Sequence, residues 1–263
     1  MTLDPSALLA VAERAAWAGG EIVLAHFGRT EGVREKSPGD WVSEADLASE
    51  AAIRAVLVRE SSVPVFGEEA GGEATDTGWF VDPLDGTANF LHGFDAVGVS
   101  VGLVENGVAV AGVVHAPLLG RTFSGGPGLG AFRDGVPMHA SDRPPAQAIV
   151  ATGFPFRRKE LLDRYEAAFA QALRRFEDLR RAGAASLDLC WSAEGVFDGF
   201  FELRLGPWDV AAGGAILRGA GGIVTDWEGD EHAWLRSGDI LAAPPAVHEA
   251  LLEIARSAPP AGR

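Results

Sequence analysis

The chain has 263 residues, of which 47% are hydrophobic, enough to bury a core in one large domain or two of ordinary size. Its formal net charge of -15 disfavours nucleic-acid backbones and anionic membranes, so we expect neither as a partner. The single cysteine excludes a disulfide within the chain and fits a reducing cytoplasm, where we expect the protein to reside.

The first half of the chain begins with helical patterns and continues as strands joined by short turns. Ser43 is a natural N-cap for the second helix, with Asp46 three residues later. The sequence Glu105-Asn106-Gly107 is a strong hairpin signal. The predicted elements are, in order, a helix at 6–26, a polar loop or hairpin at 28–39, a helix at 43–59, strands at 63–67 and 78–81 flanking a linker at 71–78, and strands at 97–104 and 108–114, with strands and turns over 118–134.

In the second half, helices and strands alternate after the pair Pro144-Pro145. The predicted elements are a strand at 148–152, helices at 159–175 and 187–194, a strand at 199–203, a helix at 210–219, a strand at 223–225 and a closing helix at 245–256. We therefore divide the chain into an N-terminal α+β half, 1–143, and a C-terminal α/β half, 144–263.

The stretch WFVDPLDGTANFLHGF, residues 79–94, ends an apolar strand on two carboxylates, Asp82 and Asp85. Two such close carboxylates repel one another unless a proton or a cation holds them, and Mg²⁺ prefers oxygen ligands of this kind. Thr87 adds a hydroxyl group, and the backbone N–H groups from Gly86 onward suit a phosphate if a helix begins there. A solvated acidic turn is the alternative explanation.

Five motifs in order resemble the inositol monophosphatase family of magnesium-dependent, lithium-sensitive phosphatases, and the chain resembles its bacterial members. Besides residues 79–94, they are KSPGDWVSEAD (36–46), GEE (67–69), RRAGAASLDLCWSAEGVFDGFFE (180–202) and PWDVAAGGAILRGAGG (207–222). The resemblance implies a layered αβαβα sandwich of the inositol monophosphatase/fructose-1,6-bisphosphatase type, with most metal ligands in the N-terminal half.

The resemblance also implies a role for individual residues. Two to three Mg²⁺ ions are expected on Glu68, Asp82, the carbonyl of Leu84, Asp85 and Asp209. Thr87 and Glu68 are expected to orient and deprotonate the attacking water, with Asp46 hydrogen-bonded to Thr87. Substrate contacts are expected from Asp85, Gly86, Thr87, Gly183, Ala185 and Glu202. Lys36 is a further candidate, equally well explained as a solvated loop lysine.

From these motifs we expect Mg²⁺-dependent hydrolysis of a small phosphorylated metabolite by a metal-activated water, with inositol monophosphate as the favoured substrate. Histidinol phosphate, fructose 1,6-bisphosphate and a phosphonucleotide are alternatives within the same chemistry. A metal-binding regulatory protein without activity is the competing class, which the intact ligand set disfavours. The resemblance also implies a homodimer.

Overall fold

The computed structural model describes residues 3–29, 32–37, 40–71 and 75–260. The helices within these residues are α1 Pro5–His26, α2 Glu44–Glu60, α3 Thr87–His92, α4 Leu162–Arg175, α5 Ala185–Glu194, α6 Pro207–Gly219, α7 Trp234–Ser237 and α8 Pro245–Ser257. The strands are β1 Arg34–Ser37, β2 Asp40–Val42, β3 Val65–Gly67, β4 Gly78–Asp85, β5 Gly98–Glu105, β6 Val108–Ala116, β7 Arg121–Gly126, β8 Gly130–Arg133, β9 Val136–Pro137, β10 Ile149–Thr152, β11 Asp178–Arg180, β12 Gly199–Glu202, β13 Ile223–Thr225 and β14 Ile240–Ala243.

Two large sheets and three helical layers alternate through the molecule. A seven-stranded sheet has the order β3-β4-β5-β6-β7-β8-β9, and a five-stranded sheet has the order β11-β10-β12-β14-β13. The pair α1–α2 covers the outer face of the larger sheet, α5 and α6 lie between the sheets, and α4 and α8 cover the smaller one. This arrangement confirms the predicted αβαβα sandwich.

The alternation of residues in β5 explains how α6 packs so closely on the central strands. Val99, Val101 and Leu103 point into the core shared with α1 and α2. The positions between them are small: a Cβ added at Gly102 would lie 2.7 Å from that of Ala211 on α6. The neighbouring Ser100 donates a hydrogen bond to the carbonyl of Trp208 at 3.0 Å, which holds the start of α6 against this strand.

Several element boundaries differ from the prediction. Strand β4 was expected to end before the carboxylates, but it continues through Pro83 to Asp85, with an irregular register against β5 between Asp82 and Asp85. Helices α5 and α6 begin earlier than expected, at Ala185 and Pro207. A proline at the first helical position lacks only an N–H that would have no partner in the helix, which explains the earlier start of α6.

The predicted elements do not include β11, α7 and β14, which have three to four residues each. The polar segment predicted as a loop or hairpin does contain a hairpin, since β1 and β2 pair antiparallel. None of the helices among the described residues has the length and apolar character needed to cross a bilayer. The division of the chain at 143/144 stays a prediction.

Candidate active site

A cavity of about 500 Å³ contains most of the predicted site residues. Its lining includes Glu68, Asp82, Leu84, Asp85, Gly86, Thr87, Gly183, Ala185, Glu202 and Asp209. Asp46 is not part of the lining but is hydrogen-bonded to Thr87. The side chain of Lys36 lies outside the described residues. Positions far apart in the chain therefore meet around one space, while their roles in the site stay predictions.

Three carboxylates in this cavity come from three different elements. Asp82 lies in β4, Glu68 follows the parallel neighbour β3, and Asp209 lies in the first turn of α6. Each offers an oxygen, and these oxygens lie within 4.8 Å of one another. The backbone N–H of Gly206 donates to Asp209 at 2.6 Å, and that of Leu84 donates to Asp82 at 2.9 Å.

Asp85 is held apart from this triad by α5. Its Oδ2 accepts hydrogen bonds from the backbone N–H of Ser186, at 2.7 Å, and from the Ser186 hydroxyl. Its other carboxylate oxygen has no part in these two bonds. Ser186 lies in the first turn of α5, so Asp85 ties the end of β4 to the start of this helix.

The electrostatics of the cavity favour a cation. Burial raises the pKa of Asp82 well above its ordinary value, and the charges of Glu68, Asp85 and Asp209 raise it further. Burial likewise raises the pKa of Asp85 to about 6 and that of Asp209 well above its usual range. A divalent ion would remove this repulsion, and a set of carboxylate oxygens is what Mg²⁺ takes. The residues present therefore fit a metal site.

A second layer of hydrogen bonds fixes Thr87 beside the carboxylates. Its hydroxyl lies 3.1 Å from Asp46 Oδ1 and 3.1 Å from the carbonyl of Leu84, and it can donate its one proton to either. Asp46 Oδ2 accepts from both the backbone N–H and the hydroxyl of Ser43, at 2.8 and 2.6 Å. Burial raises the pKa of Asp46, and these hydrogen bonds oppose the rise.

The turn between Asp85 and Thr87 requires a glycine. Gly86 has φ of 89°, in the left-handed region, and a Cβ there would lie 2.8 Å from the carbonyl oxygen of Ala96. Asn89 ties this turn to the C-terminal half, since its side-chain amide donates to the carbonyls of Ala96 and Ala182 at 2.8 and 2.9 Å.

Glu50 supports the segment that carries Glu68, and the motif analysis did not identify it. Its carboxylate accepts the backbone N–H groups of Glu69 and Ala70, at 2.8 and 3.1 Å, and pairs with Arg54 at 2.7 Å. A Cβ at Gly67 would lie 2.3 Å from the Glu50 carboxylate, so this glycine leaves the space for it. A glutamate inside a helix gives no signal of such a role in sequence.

The other end of the cavity contains Glu202, Arg181 and Asp188. The Glu202 carboxylate lies directly against Gly153, where a Cβ would come within 2.0 Å of it. Burial raises the pKa of Glu202 to about 8, while the charge of Arg181 opposes the rise. Burial also raises the pKa of Asp188 well above its ordinary value, with Glu202 and Asp85 adding to the effect.

Comparison with known proteins agrees with this combination of fold and site. A layered sandwich with a group of carboxylates in one cavity fits a metal-dependent phosphatase, and the chain belongs to the inositol monophosphatase family, whose model matches residues 4–259. The resemblance seen in the motifs is thereby confirmed.

Relatives and solved structures cover nearly the whole chain. A fructose-1,6-bisphosphatase/inositol-1-monophosphatase of Aquifex aeolicus is 38% identical over 94% of this chain and 95% of its own. A Nus factor SuhB of Pseudomonas aeruginosa is 38% identical over 93% and 94%. Extragenic suppressor protein SuhB of Bartonella henselae superposes with a TM-score of 0.89 at 33% identity, covering 95% of this chain and 99% of that one. An inositol monophosphatase of Anabaena (Nostoc) gives 0.86 at 33%, covering 97% of both.

Proposed function

We propose that the protein is a Mg²⁺-dependent phosphate monoesterase that acts on inositol monophosphate or a closely similar polyol phosphate. The observation that carries the proposal is the set of oxygens from Glu68, Asp82 and Asp209 within 4.8 Å of one another, in a cavity that also contains Thr87. Mg²⁺ ions would lie on these residues, the Leu84 carbonyl and Asp85. When bound, they would neutralise phosphate oxygens and supply a water of lowered pKa as the nucleophile.

Thr87 and Asp46 have the geometry to orient that water. If the Leu84 carbonyl is engaged by a cation, the Thr87 hydroxyl donates to Asp46 instead, at 3.1 Å. The threonine oxygen then has free lone pairs with which to accept a hydrogen bond from the water. Asp46 is fixed by Ser43 and therefore determines the direction of this hydrogen bond, while Glu68 is the base that receives the proton.

The leaving alcohol would occupy the end of the cavity formed by Asp85, Gly183, Ala185 and Glu202. Carboxylates there accept hydrogen bonds from hydroxyl groups, which suits a polyol better than an apolar alcohol. The backbone N–H groups of Gly86 and Thr87 would contact the phosphate. We further propose that the protein acts in the cytoplasm as a homodimer.

A bisphosphate such as fructose 1,6-bisphosphate is a second candidate substrate, and one observation favours it. Although the whole chain carries a net charge of -15, four exposed arginines line this one cavity, Arg157, Arg158, Arg181 and Arg204. Guanidinium groups are suited to a second phosphate. A relative is itself named a fructose-1,6-bisphosphatase/inositol-1-monophosphatase.

Because several relatives bear the name Nus factor SuhB, the absence of a nucleic-acid partner stays a prediction. It still rests on the acidic net charge of the whole chain.

Phosphate release from a panel of esters tests the proposal. Inositol 1-phosphate, fructose 1,6-bisphosphate, histidinol phosphate and a 3′-phosphonucleotide would be compared by kcat/KM across a Mg²⁺ titration. Asp82→Asn should reduce kcat by at least about a hundredfold. Asp178→Asn, a change to an exposed aspartate outside the cavity lining, is the matched control and should have no effect. Mg²⁺-dependent turnover that survives Asp82→Asn would overturn the mechanism.

A further inference from the structure

Asp188 is a buried carboxyl group that the proposed mechanism does not use. It lies in α5, only 1% exposed, and it lines the same cavity as Glu202 and Asp85. Its Oδ1 has no hydrogen-bond partner among the described residues. Buried polar atoms in folded proteins almost always have a partner, so an unpartnered carboxyl oxygen on a residue that lines the cavity points to a ligand group that completes it.

The surroundings of Asp188 show which ligand chemistry fits. The charges that affect it are those of Glu202 and Asp85, which are negative, and Arg181, which is positive. The Arg181 guanidinium lies over the ring of Phe154, 5.8 Å from its centroid, and against Gly183, where a Cβ would come within 2.2 Å of it. Carboxyl groups and a guanidinium in the lining of one cavity offer both acceptors and donors, which match the hydroxyl groups of a polyol.

We propose that Asp188 is a specificity-determining residue whose carboxyl group hydrogen-bonds a hydroxyl group of the leaving alcohol. The proposal rests on the phosphatase function proposed above and specifies its substrate class: esters of alcohols with several hydroxyl groups. Asp188 does not contact the phosphate or the attacking water in this scheme. Removing the Asp188 carboxyl group should therefore weaken discrimination between leaving alcohols. It should not affect hydrolysis of an ester whose alcohol has no further hydroxyl groups.

A pair of esters separates these effects. Inositol 1-phosphate and cyclohexyl phosphate share a six-membered ring, but the second has no hydroxyl group on that ring. The wild-type protein should prefer the first in kcat/KM. Asp188→Leu, which keeps the approximate size and removes all hydrogen bonding, should reduce this preference about tenfold or more. Turnover of cyclohexyl phosphate should stay within about twofold, which a purely structural role would not allow.

A second variant and a matched control distinguish a specific effect of Asp188 from a general loss of folding. Asp188→Asn keeps the size and one acceptor oxygen, so the preference should fall less than with Asp188→Leu. Glu194→Gln is the control: Glu194 lies in the same helix and also has an unpartnered oxygen, but it pairs with Arg133 and is not part of the cavity lining. It should leave both esters unaffected.

Binding measurements distinguish failure of this proposal from failure of the proposed function. The Kd of each ester would be measured by calorimetry with Ca²⁺ in place of Mg²⁺, for the wild type and the Asp188 variants. If no ester is hydrolysed but the binding preference exists and depends on Asp188, the phosphatase function is wrong and the assignment of Asp188 stands. The assignment is overturned if the wild type shows no preference, or if the variants weaken both esters equally or leave the ratio unchanged.

Discussion

Replacing one predicted metal ligand should make the metal-free protein more stable. Asp85 is buried, and burial raises its pKa from 3.8 to about 6. A carboxyl group with a raised pKa in the folded state stabilises the fold while it is protonated, and this stabilisation is lost as the pH rises from 3.8 through about 6. At neutral pH without metal, Asp85 is therefore ionised at a net cost to the fold. Asp85→Asn removes that cost, and its amide oxygen can still accept the Ser186 hydrogen bonds.

The shift in pKa sets the size of the effect. A rise from 3.8 to about 6 corresponds to about 3 kcal/mol of unfolding free energy, at about 1.4 kcal/mol for each pKa unit. For a chain of this length, a gain of that order should raise the Tm by roughly 6 °C or more. The gain should be present at pH 8 and largely absent near pH 4, where the wild-type carboxyl group is protonated.

The assay is thermal unfolding after treatment with a chelator, at several pH values, with and without Mg²⁺. Mg²⁺ should raise the Tm of the wild type at pH 8 more than that of Asp85→Asn, since a ligand that binds only the folded state stabilises it by an amount that increases with the logarithm of its affinity. Asp198→Asn is the matched control, because Asp198 is also buried but accepts hydrogen bonds from Arg143 Nε and the Ile149 N–H, each at 2.7 Å. It should lower the unfolding free energy by about 1–3 kcal/mol. If Asp85→Asn destabilises the metal-free protein at pH 8 as Asp198→Asn does, the electrostatic account of the cavity is wrong.

Two further substitutions test the positioning of groups around the site. Thr87→Val should lower kcat about a hundredfold and leave the Mg²⁺ requirement unchanged. Thr87→Ser keeps the hydroxyl group, so its kcat should stay within about tenfold of the wild-type value. Equal losses of kcat in the two variants would show that the hydroxyl has no role. Gly153→Ala places a Cβ within 2.0 Å of the Glu202 carboxylate and must displace it, so KM for inositol 1-phosphate should rise about tenfold with little change in kcat. An unchanged KM would remove Glu202 from the substrate contacts.

Much of the fold could be predicted because its helices and strands have clear periodicities. Strand β5 alternates valine or leucine with glycine or serine, a pattern that predicts a strand, though it does not show that a helix covers the small positions. The short strands β11 and β14 contain three to four residues and rely on their neighbours for hydrogen bonds. Local patterns of that length are ambiguous, since the three-residue strand β13 was predicted while β11 and β14 were not.

The candidate site was predictable only as far as its motifs extend. The close spacing of Asp82 and Asp85 is a signal in the sequence itself. Asp209 lies near them because Ser100 of β5 is hydrogen-bonded to Trp208 at the start of α6, a contact across 108 residues of chain. Gly153 has no signal of its own, since its importance depends on the position of Glu202. The family resemblance assigned residues far apart in the chain to one site, which the chemistry of the individual residues could not do.

Three buried aspartates differ in their hydrogen-bond partners although they are alike in burial. Asp82, Asp188 and Asp198 are all at most 2% exposed. Asp198 accepts hydrogen bonds from several neighbours and serves the scaffold. Within the described part of the chain, the Asp82 side chain accepts one hydrogen bond, from the backbone N–H of Leu84, and Asp188 has an oxygen with none. Folding alone does not favour an under-coordinated buried carboxyl group, because its desolvation is not offset within the chain. A ligand that completes such a group offsets this cost: a cation for Asp82 and, by the same reasoning, a substrate hydroxyl for Asp188.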